Sequence, residues 1–311
     1  MVITVTLNPA MDKVLILDQF KLNVTNRIKE QFSCVGGKGT HISINLSLLG
    51  IRSMAVGAVM GEVGSEILKE LGKMNINVQF LHLSEGNSRT NYVLIDEDAN
   101  CTLVAEKGKP MEQEVTDRLV QVYKEKVSKG DIVVISGDAS NQRNTNLQDT
   151  FMEIAGQKGA RVCLDASGEH LARGVRKSPF LIKPNIDELS ALTGKELNSE
   201  GEILRAIEEL DVFGIENIVV SCGGEGSIVR SNGRYFKVIA PKVEVRNTVG
   251  CGDALVSGLL AGFEKNLAIE ENLKQASAIA AATAMNIETV GFDISLIDML
   301  KERVVVKALE K

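Results

Sequence analysis

Short β-branched, apolar runs occur along the chain at residues 2–7, 131–135, 161–165, 180–183 and 217–221, and each predicts a strand. Between and beyond them lie stretches with apolar residues at helical spacing, at 62–73, 114–128, 147–158, 201–213, 253–264 and 271–285. Strands that alternate with helices predict an α/β fold, with a mostly parallel sheet flanked by helices on both faces. Two stretches break the rhythm. Residues 12–35 and 88–106 contain strand-like segments, among them 14–17 and 92–95, with no helix between them. They predict a small second sheet, built from two excursions of a single domain spanning 1–311. A lid that keeps water from a site is the functional reading of that sheet, and a plain hairpin edge is the alternative. No repeat, low-complexity segment or Pro-rich linker divides the chain.

Composition narrows the partners. With 311 residues, 44% of them hydrophobic and 24% charged, the chain has enough material for a large core. Its 35 basic and 41 acidic residues give a net charge of −6 without a long basic run, so neither nucleic acid nor a membrane surface is expected as a partner. Cys34, Cys101, Cys163, Cys222 and Cys251 are scattered with no C-x-x-C pair, which fits reduced thiols rather than zinc or a redox motif. The first residues read as a strand rather than an export signal, and no apolar run reaches spanning length. A cytoplasmic location is the expectation.

The densest chemistry lies at Asn247-Thr248-Val249-Gly250-Cys251-Gly252-Asp253-Ala254, just ahead of an apolar stretch. Two glycines around a small residue at a helix start can bring several backbone N–H groups to one point beside the positive end of the helix dipole, which makes an anion hole. Asp253 is out of place there unless it removes a proton beside a bound phosphate. Ordinary helix capping by Gly and Asp is the alternative reading. Other phosphate-binding motifs fail on spacing. Gly36-Gly37-Lys38-Gly39-Thr40 has the composition of a P-loop but not its spacing, and the first strand runs into Asn8-Pro9-Ala10-Met11-Asp12 where a dinucleotide fold needs G-x-G-x-x-G.

Seven segments, in order, resemble the PfkB (ribokinase-like) carbohydrate kinase family, and within it the branch of 1-phosphofructokinase and tagatose-6-phosphate kinase. Thr6-Leu7-Asn8-Pro9-Ala10-Met11-Asp12 resembles T-x-N-P-A-x-D, Gly36-Gly37-Lys38-Gly39 resembles G-G-K-G, and Ser88-Arg89-Thr90-Asn91 resembles T-R-x-N. Leu164-Asp165-Ala166-Ser167-Gly168 is similar to L-D-x-S-G, and Lys183-Pro184-Asn185 with Glu188-Leu189 to K-P-N-x-x-E-L. Ser221-Cys222-Gly223-Gly224-Glu225-Gly226 resembles S-x-G-x-x-G, and the segment ending at Asp253 resembles N-T-V-G-A-G-D.

The resemblance implies a large α/β domain with a small β-sheet lid and phosphoryl transfer from ATP with Mg²⁺. Asp253 becomes the catalytic base and Gly250, Cys251 and Gly252 the anion hole. Lys183, Ser221, Gly223, Gly226, Thr248 and, more loosely, Ser277 fall on the nucleotide side. Asn185 and Glu188 handle the metal through water, although a helix-start Asn with a first-turn Glu explains the same residues. Asp12, Gly37, Lys38, Arg89 and Asn91 fall at the sugar, where the two cations suit a phosphosugar dianion. Taken singly, such cations are more often solvated surface. Gly258 and Gly262, four apart, allow close packing of the helix that begins near Asp253.

Departures from the pattern fall mostly on the sugar side. His41 stands where the family usually has Asn, Val93 where a Lys is frequent, and Cys251 where Ala is usual. A lone His is more often structural, so His41 is expected to contribute little to substrate binding. Ser136-Gly137-Asp138-Ala139-Ser140-Asn141 lacks the Pro and second Gly of the branch's S-G-S-x-P-x-G. The expected function is a ketohexose-phosphate kinase acting on fructose 1-phosphate or tagatose 6-phosphate. A kinase of an unphosphorylated sugar or nucleoside and a non-catalytic sugar-phosphate sensor are the alternatives. Exposed lid strands make a homodimer through the lid plausible.

Overall fold

The runs Val2–Thr6 (β1) and Ile132–Ser136 (β8) are buried at every position, as strands covered by helices on both faces must be. The computed structural model describes residues 1–137, 141 and 146–309; residues 138–140 of the stretch 136–141 lie outside them. After β1 come β2 (Ala10–Ile16), β3 (Glu30–Gly36), α1 (Lys38–Leu48), β4 (Ser53–Met60), α2 (Gly61–Leu71), β5 (Ile76–Leu83), β6 (Arg89–Ile95), β7 (Cys101–Ala105) and α3 (Gln113–Lys126). Beyond β8 follow α4 (Leu147–Lys158), β9 (Arg161–Asp165), α5 (Gly168–Gly174), β10 (Leu181–Ile182), α6 (Ile186–Thr193), α7 (Glu200–Glu209) and β11 (Asn217–Ser221). The chain closes with β12 (Ser227–Ser231), β13 (Arg234–Ile239), α8 (Cys251–Glu264), α9 (Ile269–Ala284), α10 (Ile297–Arg303) and β14 (Val305–Leu309).

Among the described residues the large sheet has the order β14-β13-β12-β11-β10-β9-β8-β1-β4-β5. Pairing is parallel from β11 to β5 and antiparallel from β11 through β14. This is the mostly parallel α/β sheet that the alternating pattern predicts. Alternate residues of β1 feed two cores. Ile3 and Val5 pack with Leu119, Phe151, Leu171, Leu189 and Ile207 on one face, while Val2 packs with Ile42, Val256, Leu260, Ile279 and Leu300 on the other.

A smaller sheet has the order β3-β2-β6-β7, with β2 and β6 parallel and the outer pairs antiparallel. The pair β2 and β3 starts at residue 10, slightly before the first expected excursion, and β6 and β7 lie within the second. Alternate positions of β6 are buried, so Arg89, Asn91, Val93 and Ile95 share one face. Parallel register places Asp12 beside Asn91, and antiparallel register places it beside Cys34.

Helix α8 packs against α9 through its two glycines. A β-carbon on Gly258 would lie 2.5 Å from Ala276 Cα, and one on Gly262 would lie 2.1 Å from Asn272 Oδ1. Asn272 Nδ2 in turn donates to Leu259 O at 3.0 Å. The contact fixes the axis of α8 and hence the position of its N-terminus. No described helix is long and apolar enough to cross a membrane.

Candidate active site

The turn ahead of α8 is held from two sides. Buried Asn247 donates through Nδ2 to the carbonyls of Ile287 and Glu288, and its Oδ1 accepts from Val249 N. Gly250 then takes φ 84, left-handed backbone open to glycine, and a β-carbon there would lie 1.9 Å from Thr289 O. Beyond it, Cys251 N reaches Thr248 O only at 3.4 Å, and no backbone carbonyl among the described residues pairs with the N–H of Gly252 or Asp253. These donors face the start of α8, where negative charge is favoured. Lys183 Nζ, on a buried side chain, lies 3.4 Å from where a Gly252 β-carbon would be, adding a cation to the same corner.

Asp253 does not cap this helix. Among the described residues no side chain caps the start of α8; instead Asp253 Oδ2 lies 2.7 Å from His41 Nδ1, both groups buried. The capping alternative is therefore realised elsewhere. At α6, Asn185 Oδ1 accepts from Glu188 N at 2.7 Å, and Glu188 Oε2 accepts from Asn185 N at 2.9 Å, which makes a reciprocal capping box.

A cleft of about 260 Å³ opens beside the turn ahead of α8. It is lined by Ser221, Gly223, Gly226, Thr248 and Ser277, five of the six residues expected on the nucleotide side, together with Cys251 and Gly252. The sixth, Lys183, follows β10 and does not line the cleft, although its Nζ approaches Gly252. Burial pushes the Cys251 thiol up to about 12, with Asp253 adding to the shift, so Cys251 presents a neutral side chain. A larger cleft of about 640 Å³ lies between β3, α1 and the segment after α9, and contains none of the expected site residues.

Asp165 ties the two halves of the site together, and the sequence reading gave it no role. It ends β9 fully buried, with Lys38 Nζ 3.1 Å from Oδ2 and Lys183 Nζ 3.4 Å from Oδ1. Burial alone would raise its pKa, but the charges of Lys183 and Lys38 hold it below the usual carboxylate range. Lys38 opens α1 just after Gly37 and remains 38% exposed. Partial burial opposes its charge, and Asp165, Asp253 and Glu188 more than offset that, raising it above the usual lysine range. Lysines expected on opposite substrates thus share one carboxylate.

On the small-sheet side, buried Asp12 accepts from Asn91 Nδ2 at 2.8 Å and from Thr289 Oγ1 at 2.9 Å. Burial works against its ionised form, yet His41, Asn91 and Thr289 together keep its pKa below the ordinary value. Arg89 is buried, with Nε donating to Asn8 O at 3.0 Å and Nη1 to Glu106 O at 3.3 Å. His41, discounted on sequence, stands between the two key carboxylates: Nδ1 on Asp253, and Nε2 3.6 Å from Asp12 Oδ2. Burial opposes its protonation, but the two carboxylates beside it, Asp12 and Asp253, win and push the imidazole up to about 9. Thr289 also escaped the sequence reading, because no motif contains it. Its hydroxyl holds Asp12 and its carbonyl fills the space beside Gly250.

A family model described as "pfkB family carbohydrate kinase" matches residues 6–292. Tagatose-6-phosphate kinase of Staphylococcus epidermidis is 33% identical over 93% of this chain and 94% of its own length. The 1-phosphofructokinase of Haemophilus influenzae is 31% identical over 99% of each chain. A solved Thermotoga maritima structure, named "Possible 1-phosphofructokinase", superposes with a TM-score of 0.89 at 28% identity, covering 100% of both chains. The chain belongs to the pfkB family of carbohydrate kinases, and ATP is its phosphoryl donor.

Proposed function

We propose that this pfkB-family kinase phosphorylates a ketohexose monophosphate, fructose 1-phosphate or tagatose 6-phosphate, to a bisphosphate. The observation that carries the reading is Asp253, a buried carboxylate free of capping duty at the unpaired N–H groups of the α8 start. In this reading Asp253 accepts the proton of the attacking sugar hydroxyl. The hydroxyl oxygen forms a bond to the γ-phosphorus as the bond to the β-phosphate oxygen breaks, and the leaving electron pair stays on ADP. The N–H groups of Gly250, Cys251 and Gly252, with Lys183, receive the charge on the transferred phosphoryl. Adenosine occupies the cleft lined by Ser221, Gly223, Gly226, Thr248 and Ser277. Asp12, oriented by Asn91, accepts from a sugar hydroxyl.

Mg²⁺, when bound with ATP, would supply neutralisation of phosphate charge. Among the described residues no three acidic, His or Cys side chains converge as a metal cage. Mg²⁺ takes most of its ligands from water and phosphate, and Asn185 and Glu188, already bonded to one another, fit a role through water. Their mutual cap orients the Glu188 carboxylate, whose charge already reaches Lys38.

Lys38 and Arg89 are the candidate partners of the sugar phosphate, a choice in line with relatives named for phosphosugar substrates. Arg89→Ala is expected to raise the phosphosugar KM by on the order of 10-fold or more with a smaller change in kcat. An unchanged KM would remove Arg89 from the site. One observation favours the second reading, an unphosphorylated sugar: part of the Arg89 guanidinium is already committed to two backbone carbonyls. A coupled assay of ADP release with fructose 1-phosphate, tagatose 6-phosphate, fructose 6-phosphate, fructose and ribose separates the two. Preference for fructose or ribose would overturn the phosphosugar assignment. The cysteines, none in a disulfide, support a reducing compartment such as the cytoplasm. Exposed Leu103 and Val104 on the edge strand β7, with Leu22, Val24 and Ile28, support pairing of two copies through the small sheet as a lid. Light scattering that gives a monomer mass would remove that pairing.

A further inference from the structure

His41 has two ring nitrogens in the same buried site and only one is used. Nδ1 meets Asp253 Oδ2 at 2.7 Å, whereas Nε2 has no hydrogen-bond partner among the described residues. Asp12 Oδ2 is 3.6 Å from Nε2, close enough for attraction but too far for a hydrogen bond, and that oxygen already accepts from Thr289. A buried donor left unpaired is costly, so an acceptor is expected to arrive with a ligand. An alcohol is the chemistry that fits: its O–H donates to the Asp12 carboxylate while its oxygen accepts from an N–H beside it.

We propose that His41 Nε2–H donates to the sugar hydroxyl that Asp12 accepts, while Nδ1–H fixes the Asp253 carboxylate, so that one imidazolium positions the base and reads the sugar. The inference rests on the kinase reading above. The charged groups acting on the ring are Asp12 from β2 and Asp253 from α8. Lys38, three residues earlier on the same helix, turns to Asp165, and the Cys34 thiol of β3 meets Thr289 Oγ1 at 3.0 Å. The cation persists up to about pH 9. Above that, Asp253 retains Nδ1–H and Nε2 becomes a bare lone pair facing the Asp12 carboxylate. The hydroxyl then loses its donor. An Asn at this position offers an amide donor but no charge, and its hydrogen bonding does not change with pH.

Steady-state kinetics of wild type, His41→Asn and His41→Gln between about pH 6 and pH 10 test the role. At pH 7 the sugar KM of both variants is expected to rise about 10- to 100-fold while the KM for ATP holds. The wild-type sugar KM should climb on the alkaline side of about pH 9, and the variants should lack that limb. Nitrogen-15 NMR of the ligand-free wild-type chain gives a reading independent of activity and of variant folding. His82 and His170 provide internal comparison, and His41 should stay doubly protonated up to about pH 9. Its Nε2 signal should move on adding sugar substrate and hold on adding ADP. With the folded value above the ordinary 6.5, stabilisation by the ion pairs is complete below 6.5 and lost as pH rises through about 9. The wild-type Tm should fall across that window more than that of His41→Asn. If no sugar is phosphorylated, the kinase reading falls and takes this role with it. Kinase activity with identical KM profiles in wild type and His41→Asn, or a Nε2 signal blind to sugar, overturns the role of His41 alone.

Discussion

Asp253→Asn is expected to fold, bind ATP with little change and lose on the order of 10²- to 10⁴-fold in turnover, the usual contribution of a positioned general base. The amide keeps the size of the carboxylate and an oxygen that can still accept from His41 Nδ1, so the start of α8 has no reason to shift. What it loses is the capacity to take a proton. Calorimetry for ATP and steady-state turnover at saturating sugar separate binding from chemistry. Near-normal turnover in a variant with normal ATP affinity would show that another group, or water, receives the proton.

Gly250→Ala carries the second large effect, and it acts through geometry. The added β-carbon meets two obstacles: φ of 84, which costs an L-residue roughly 1–2 kcal/mol, and the Thr289 carbonyl oxygen at 1.9 Å. Carbon and oxygen cannot approach that closely, so the turn or the Thr289 segment must move by an ångström or more. Displacing reacting groups by about 1 Å costs on the order of 10² in turnover. A lowered Tm together with a kcat loss of about that size is therefore expected, with circular dichroism showing the helices intact. Wild-type kcat in the alanine variant would mean that the transferred phosphoryl is seated elsewhere than on the Gly250-Cys251-Gly252 turn.

Much of the large sheet is legible because β1, β8, β9 and β11 are short apolar runs set between amphipathic helices. The meander β12–β13 was missed although its signal is present. Asn232 and Gly233, at φ 47 and 76, form a two-residue hairpin turn. Helix α1 hid for a different reason. It is buried along most of its length, from Gly39 to Leu46, so no polar face marks its period. At the site, the glycine turn and Asp253 were readable because local sequence shapes a helix start. Two carboxyl groups that looked alike in sequence then resolved in opposite directions, Glu188 into a cap and Asp253 away from one. That choice depends on what stands opposite each, and only packing brings His41 to Asp253. Asp165, His41 and Thr289 act through partners 18 to 277 positions away in sequence, for which no local pattern exists.

Thr289 touches both sides of the proposed site, its hydroxyl on Asp12 and its carbonyl against Gly250, while the neighbouring carbonyls of Ile287 and Glu288 hold Asn247. For anyone re-engineering sugar preference, this strand of backbone is a shared hinge pin. On the proposed roles of Asp12 and the Gly250 turn, a library that varies residues 287–289 is expected to change the grip on the acceptor and the seat of the phosphoryl in one stroke, its hits trading one against the other. Arg89 bonds instead to the Asn8 and Glu106 carbonyls, so diversity placed there can be screened for new acceptors, whereas Lys38 shares Asp165 with Lys183 and its variation reaches the same corner.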